Sequence, residues 1–387
     1  MLARSGVTLL LLMCGLMAQA QQMLIPAAPQ VAASGYILMD ASTGKVLVEH
    51  NADERLPPAS LSKIMTVYIV AAELDEGRIS LDDKVRVSPN AWRKGGAASG
   101  GSTMFLDPNS EVTVGELLHG VIIQSGNDAS IALAEHLAGS EDAFADIMNQ
   151  TAQLLGMSNS SFENATGLPG ENHLSTASDL AILARSMITN YPEIYALYSQ
   201  REYTYNGITQ PNRNTLLFRD PSVDGMKTGH TSEAGYCLVA SAQRDNMRLV
   251  SVVMGTSSNN ARAVETQKLL AYGFRYYENQ TLYTTADTVA SERVWYGLTD
   301  EVTLGVAEDI VLTLPRGSRD QLQAHRQLSD SIKAPITQGQ TLGTLTVSLD
   351  DEVVAEVPLV ALQAVEQAGL FARLFDAIKL FLANLFS

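Results

Sequence analysis

Strand-like runs stand at both ends of a long helical stretch, and that order limits the fold more than any other feature of the chain. Tyr36-Ile37-Leu38-Met39 and Lys45-Val46-Leu47-Val48 read as the arms of a hairpin, with Ala41-Ser42-Thr43-Gly44 as the turn between them. Apolar residues at helical spacing then predict helices at 63–74, 114–118, 130–137, 141–155 and 176–188. Strands return at 235–243 and 248–254. A helical insertion between strands from both ends of one segment predicts an α/β domain built on an antiparallel sheet.

At 387 residues the chain exceeds one typical domain, and with 46% apolar and 18% charged residues it can bury a sizeable core. We divide it into a signal peptide at 1–20, a linker at 21–32, the α/β domain at 33–277, an all-β domain at 278–364 and an amphipathic helix at 367–387. The leader rests on Arg4, the apolar run at 7–17 and the small-x-small site Ala18-Gln19-Ala20. The β-domain rests on short runs such as Glu301-Val302-Thr303-Leu304 and Thr344-Leu345-Thr346-Val347, with turns at Gly317 and Gly339. In the tail, Leu370, Phe371, Leu374, Phe375, Ile378, Phe381 and Leu382 fall on one helical face, a pattern suited to lying on a membrane surface.

A net charge of −16 without any Lys/Arg cluster excludes a nucleic-acid partner. The histidines are scattered and no paired cysteines occur, so neither a metal site nor a cofactor is expected. Cleavage after Ala20 leaves Cys237 as the sole cysteine, a strand residue in an apolar run.

Chemistry enters with three segments in order: Ser60-Leu61-Ser62-Lys63, Ser125-Gly126-Asn127 and Lys227-Thr228-Gly229. Residues at i and i+3 share a helix face, so the Ser60 hydroxyl and the Lys63 amine can meet. A serine is a weak nucleophile until a base takes its proton, and a lysine serves as that base only when burial or nearby positive charge neutralises it. Lys227 is a candidate for that charge. Ser125 can relay a proton to a leaving group, and the Asn127 amide can bind a substrate amide. Thr228 or Thr231 can bond a substrate carboxylate, and Gly229 lets an acyl chain lie close to the strand. The backbone N–H groups of Ser60 and His230 are candidates for an oxyanion hole. Each segment alone is commonplace; their conjunction points to acyl transfer through a serine.

With these residues in place, the chain resembles the penicillin-recognising serine acyltransferases, and more closely the low-molecular-mass (class C) penicillin-binding proteins that are D-alanyl-D-alanine carboxypeptidases. The resemblance runs over nearly the whole mature chain, including Asp224-Gly225-Met226 before Lys227 and Asp128-Ala129 after Asn127. It implies a β-lactamase/DD-peptidase-like catalytic domain that removes the terminal D-Ala of peptidoglycan pentapeptides through a Ser60 acyl-enzyme. It also implies covalent inhibition by β-lactams and a periplasmic enzyme attached to the outer face of the inner membrane. Arg213 and Arg262 stand where the family carries arginines that line the site. One departure is that Thr166, where many relatives have histidine, precedes Gly167-Leu168, and a histidine follows later as His173.

Three alternatives compete with that reading. A serine β-lactamase of the class that shares these motifs needs an E-x-x-L-N loop, and none lies between Ser125 and Lys227. A DD-endopeptidase acting on cross-links would use the same motifs. A non-enzymatic membrane scaffold is disfavoured by the intact Ser60, Lys63 and Lys227.

Overall fold

The computed structural model describes residues 25–329 and 331–386, so the leader expected at 1–20 lies outside the described residues. A five-stranded sheet runs in the order Val46–His50, Gly35–Asp40, Met247–Thr256, Gly235–Arg244, Val223–Thr231. Every neighbouring pair is antiparallel. Strands from the two ends of the segment lie side by side, with Leu38 opposite Ser251.

Alternation along the strands builds two cores, because successive side chains leave a strand on opposite faces. Ile37, Met39, Val239 and Val252 join Leu61, Ile64, Leu180 and Leu183 of the helical insertion. Leu38, Leu249 and Val253 face Leu269, Leu270 and Phe274 of the helix Asn259–Tyr276. Each such side chain contributes about 1.5–3 kcal/mol by leaving water. Gly273 lets this helix approach the sheet, since a Cβ there would sit 2.6 Å from Leu249 Cδ1.

The helices Lys63–Asp75, Asn127–Ala138, Glu141–Leu154 and Ala177–Asn190 match their expected places to within a few residues. Asn259–Tyr276 was not expected. Its buried face carries Arg262, Glu265 and Thr266 among the apolar residues, which dilutes the helical periodicity. Ser258 starts it by accepting from Ala261 N at 3.0 Å.

In the all-β part, Tyr277–Tyr283 pairs with Ile310–Pro315, and a separate six-stranded sheet includes Thr341–Leu349 and Glu352–Ala361. Gly317 and Gly339 occupy left-handed turn positions at φ +79° and +81°. Asn279 Nδ2 donates to the buried Asp40 carboxylate at 2.9 Å, joining this part to the α/β sheet. The helix Leu370–Phe386 leaves Leu370, Phe371 and Phe375 at least two-thirds exposed, and Asp376 takes a hydrogen bond from Tyr296 N at 2.9 Å. No described helix is long and apolar enough to cross a membrane.

Candidate active site

The edge strand Val223–Thr231 and the turn Ala59–Ser62 pack directly together. A Cβ on Gly229 would lie 2.8 Å from Pro58 O, so only glycine allows this approach. Ala59 holds φ +48°, a conformation that costs a non-glycine residue about 1–3 kcal/mol and is found where surrounding structure enforces it. Ser60 follows it, half-buried at the cleft wall.

Lys63 begins the next helix and is fully buried. Its Nζ lies 3.0 Å from Ser60 Oγ, 2.7 Å from Asn127 Oδ1 and 2.6 Å from the Thr166 carbonyl oxygen. The last two are pure acceptors. A neutral amine has two N–H bonds to give them, which leaves its lone pair for the Ser60 hydroxyl proton. Burial pushes the Lys63 ammonium down to about 7, against the opposing field of Asp128, with Arg213 lowering it further. The charge expected from Lys227 is not among these causes.

Ser125 sits at φ +60° where the π-helical turn Gly120–Gln124 ends, and Gly126 N closes that turn onto Gly120 O at 2.9 Å. Its Oγ takes a hydrogen bond from Lys227 Nζ at 2.8 Å. Lys227 is also buried, and desolvation, followed by the charges of Lys63, Arg213 and Arg262, holds its ammonium well below the ordinary lysine value. Both lysines are therefore depressed, and the common cause is loss of water.

Asp128 is fully buried and organises the opposite rim. Its carboxylate accepts from Met104 N at 2.8 Å, Leu106 N at 3.0 Å and Thr103 Oγ1 at 2.7 Å. These bonds pin the loop that brings Gly100, Gly101 and Ser102 to the cleft.

The cleft encloses about 710 Å³ and is lined by Ser60, Ser125, Arg213, Thr228, His230 and Arg262 among others. Gly229 lines it too, while Lys63, Asn127 and Lys227 are buried and are not among its lining residues. Arg262 is nine-tenths buried, donating to Gly229 O at 3.0 Å and Asn259 Oδ1 at 2.6 Å. Arg213 donates through Nε to Gln124 O at 3.2 Å. His230 is exposed, its ring 4.0 Å from that of Tyr236. Thr231 differs from expectation: its Oγ1 accepts from Ala234 N at 3.0 Å, caps the following turn and does not line the cleft. A cleft of about 790 Å³ between Lys45 and the β-domain lacks any nucleophile paired with a base.

Gln210 and Asn212 also line the cleft, carried there by the hairpin Glu202–Tyr205 and Ile208–Pro211. The sequence reading missed this hairpin, although Asn206-Gly207 between alternating residues is a strong hairpin signal. Both turn residues have positive φ, at +47° and +75°.

Comparison with known proteins bears directly on this arrangement. Residues 22–258 match a family model described as D-alanyl-D-alanine carboxypeptidase, and residues 277–367 match the C-terminal domain of penicillin-binding protein 5. The D-alanyl-D-alanine carboxypeptidase DacC of Escherichia coli strain K12 is 45% identical over 91% of this chain and 89% of its own. Penicillin-binding protein 5 of Haemophilus influenzae superposes with a TM-score of 0.83 at 41% identity, over 88% of this chain and 100% of that one. Penicillin-binding protein D2 of Listeria monocytogenes, solved in an ampicillin-bound form, covers 64% of this chain and 100% of its own at 31% identity, with a TM-score of 0.56. A match of this extent, over a cleft that sets a serine against a buried lysine, makes this chain a member of the D-alanyl-D-alanine carboxypeptidase family.

Proposed function

We propose that this D-alanyl-D-alanine carboxypeptidase works with Ser60 as nucleophile, Lys63 as base, and Ser125 as proton relay. Ser60 Oγ attacks the carbonyl of the penultimate D-Ala while its proton passes to neutral Lys63. The amide C–N bond then breaks, and the departing D-Ala amine takes a proton supplied from Lys63 through Ser125. Water hydrolyses the resulting ester and restores Ser60. The N–H groups of Ser60 and His230 would stabilise the tetrahedral oxyanion, at about 3–4 kcal/mol per donor. Arg213, Arg262 and Thr228 offer positive charge and a hydroxyl for the terminal carboxylate, and Asn127 an amide for the substrate backbone. A β-lactam would acylate the same Ser60.

The observation that carries this reading is the Lys63 amine, buried and 3.0 Å from Ser60 Oγ, with two pure acceptors for its two N–H bonds. Incubation with a fluorescent penicillin should label the protein covalently and should not label Ser60→Ala. Equal labelling of a folded Ser60→Ala protein would remove Ser60 from the mechanism. A monomeric pentapeptide should lose D-Ala faster than a cross-linked dimer is cut; preference for the dimer would favour an endopeptidase.

The enzyme is further proposed to sit in the periplasm, held on the outer face of the inner membrane by the helix Leu370–Phe386. Exposed Leu370, Phe371, Leu374, Phe375, Ile378 and Phe381 support this reading, since such a face is stable in a bilayer interface. Removing the residues after Ala368 should release the protein into the soluble fraction, and undiminished membrane recovery would refute the anchor.

A further inference from the structure

We propose that His173 is a positioning residue for the nucleophile: through Ser62 it holds the Ala59 carbonyl in the conformation that presents Ser60 to Lys63. It rests on the reading of Ser60 as nucleophile.

His173 lies under the turn Ala59–Ser62, on the side away from the cleft, and is 1% exposed. Its Nδ1 accepts from Glu163 N at 3.1 Å, which fixes the ring proton on Nε2. That Nε2–H is directed at Ser62 Oγ, 2.7 Å away, and Ser62 in turn donates to Ala59 O at 2.9 Å. The three bonds form one directional chain from residue 163 to the carbonyl just before the nucleophile. Ala59 is the residue held at φ +48°. A conformation that strained persists only under constraint, and this chain supplies one.

The same loop constrains Ala59 and Lys63 from other directions. A Cβ on Gly167 would fall 1.8 Å from Ala59 O, so the loop backbone presses on that carbonyl. Thr166 O takes Lys63 Nζ, and Ala165 O takes Thr66 Oγ1 at 2.8 Å. Nucleophile and base are thus both referenced to residues 163–173. A sideways movement of Ser60 by a fraction of an ångström would lengthen its contact with Lys63, and misplacement by 1 Å can cost about a hundredfold in rate. Proton transfer by His173 itself is excluded by the geometry, because both ring nitrogens are already committed. Burial pushes the ring down to about 4 against the raising field of Glu163, with the charge of Lys63 lowering it further, so it stays neutral in the working range.

Two substitutions separate the ring's two bonds. His173→Gln places an amide donor where Nε2 stands and can keep the bond to Ser62; His173→Asn places an acceptor where Nδ1 stands and loses it. The experiment is single-turnover acylation by a fluorescent penicillin in excess, yielding a saturating rate and a half-saturating concentration, with Ser60→Ala run first. Label on Ser60→Ala would end the nucleophile reading separately, whatever His173 does. We expect His173→Asn to lower the saturating rate about tenfold with half-saturation unchanged, and His173→Gln to stay within about threefold of the parent. Ser62→Ala should match His173→Asn, and the double variant should be no slower than either. Equal losses in Gln and Asn, or additive losses in the double variant, would overturn the proposal. Should His173→Asn fail to fold, Ser62→Ala decides alone: a parental rate there refutes the chain of bonds.

Discussion

Acylation of Ser60 should follow the neutral fraction of Lys63, and the structure sets where that fraction changes. A lysine at its ordinary value of 10.5 would be neutral in about 0.03% of molecules at pH 7, whereas Lys63 at about 7 is neutral in about half. Burial thus raises the neutral fraction of the Lys63 amine by roughly a thousandfold. On the acid side the saturating rate should fall about tenfold per pH unit, to about one-hundredth of its plateau near pH 5. Arg213 adds a testable refinement, since its charge lowers the Lys63 value. Arg213→Gln should move the acid limb to higher pH, and Arg213→Lys should leave it in place. Because Lys227 lies in the same field, the observed midpoint belongs to the lysine pair. The assay is stopped-flow acylation at saturating β-lactam from pH 5 to 10. A rate flat from pH 5 to 8, or one still climbing tenfold per unit above pH 9, would refute Lys63 as a base poised by burial.

Other consequences of the structure can be tested separately. Ser125→Ala leaves the buried Lys227 without one of its two oxygen partners, so turnover should fall at least tenfold while the protein still folds; kcat of the purified variant checks this. Gly167→Ala forces a side chain at φ +79° against Ala59 O, and should cost at least about 1–3 kcal/mol in urea unfolding and slow acylation as well. His173 is held neutral in the fold, at about 4 against 6.5 when free. Its contribution is complete above pH 6.5 and is lost as pH falls toward 4, about 3 kcal/mol in all. Unfolding free energies that fall no faster for the parent than for His173→Gln over that window would contradict it.

How much of this was legible in advance differs from residue to residue. The strands at residues 36–39 and 248–254 were readable because short apolar runs and turn chemistry are local signals. The helix Asn259–Tyr276 was not, because Arg262 and Glu265 are buried by partners that lie far away in sequence. Ser60, Lys63, Ser125 and Lys227 stand out as motifs, since acyl transfer requires those chemical groups at short spacings. Gln210, Asn212 and Asn259 carry no such mark and become cleft residues only through a hairpin and a helix N-terminus.

By itself the sequence determined the order of elements, the apolar faces that must be buried, and the chemical groups available for reaction. Tertiary structure alone decided that Lys63 loses its water and that its two N–H bonds meet acceptors from Asn127 and Thr166. It also placed His173 against Ser62 in the turn that carries Ser60, 111 positions along the chain from Ser62. Periodicity and turn chemistry act between near neighbours, whereas desolvation and hydrogen-bond geometry are set by groups that meet only after the chain has closed on itself.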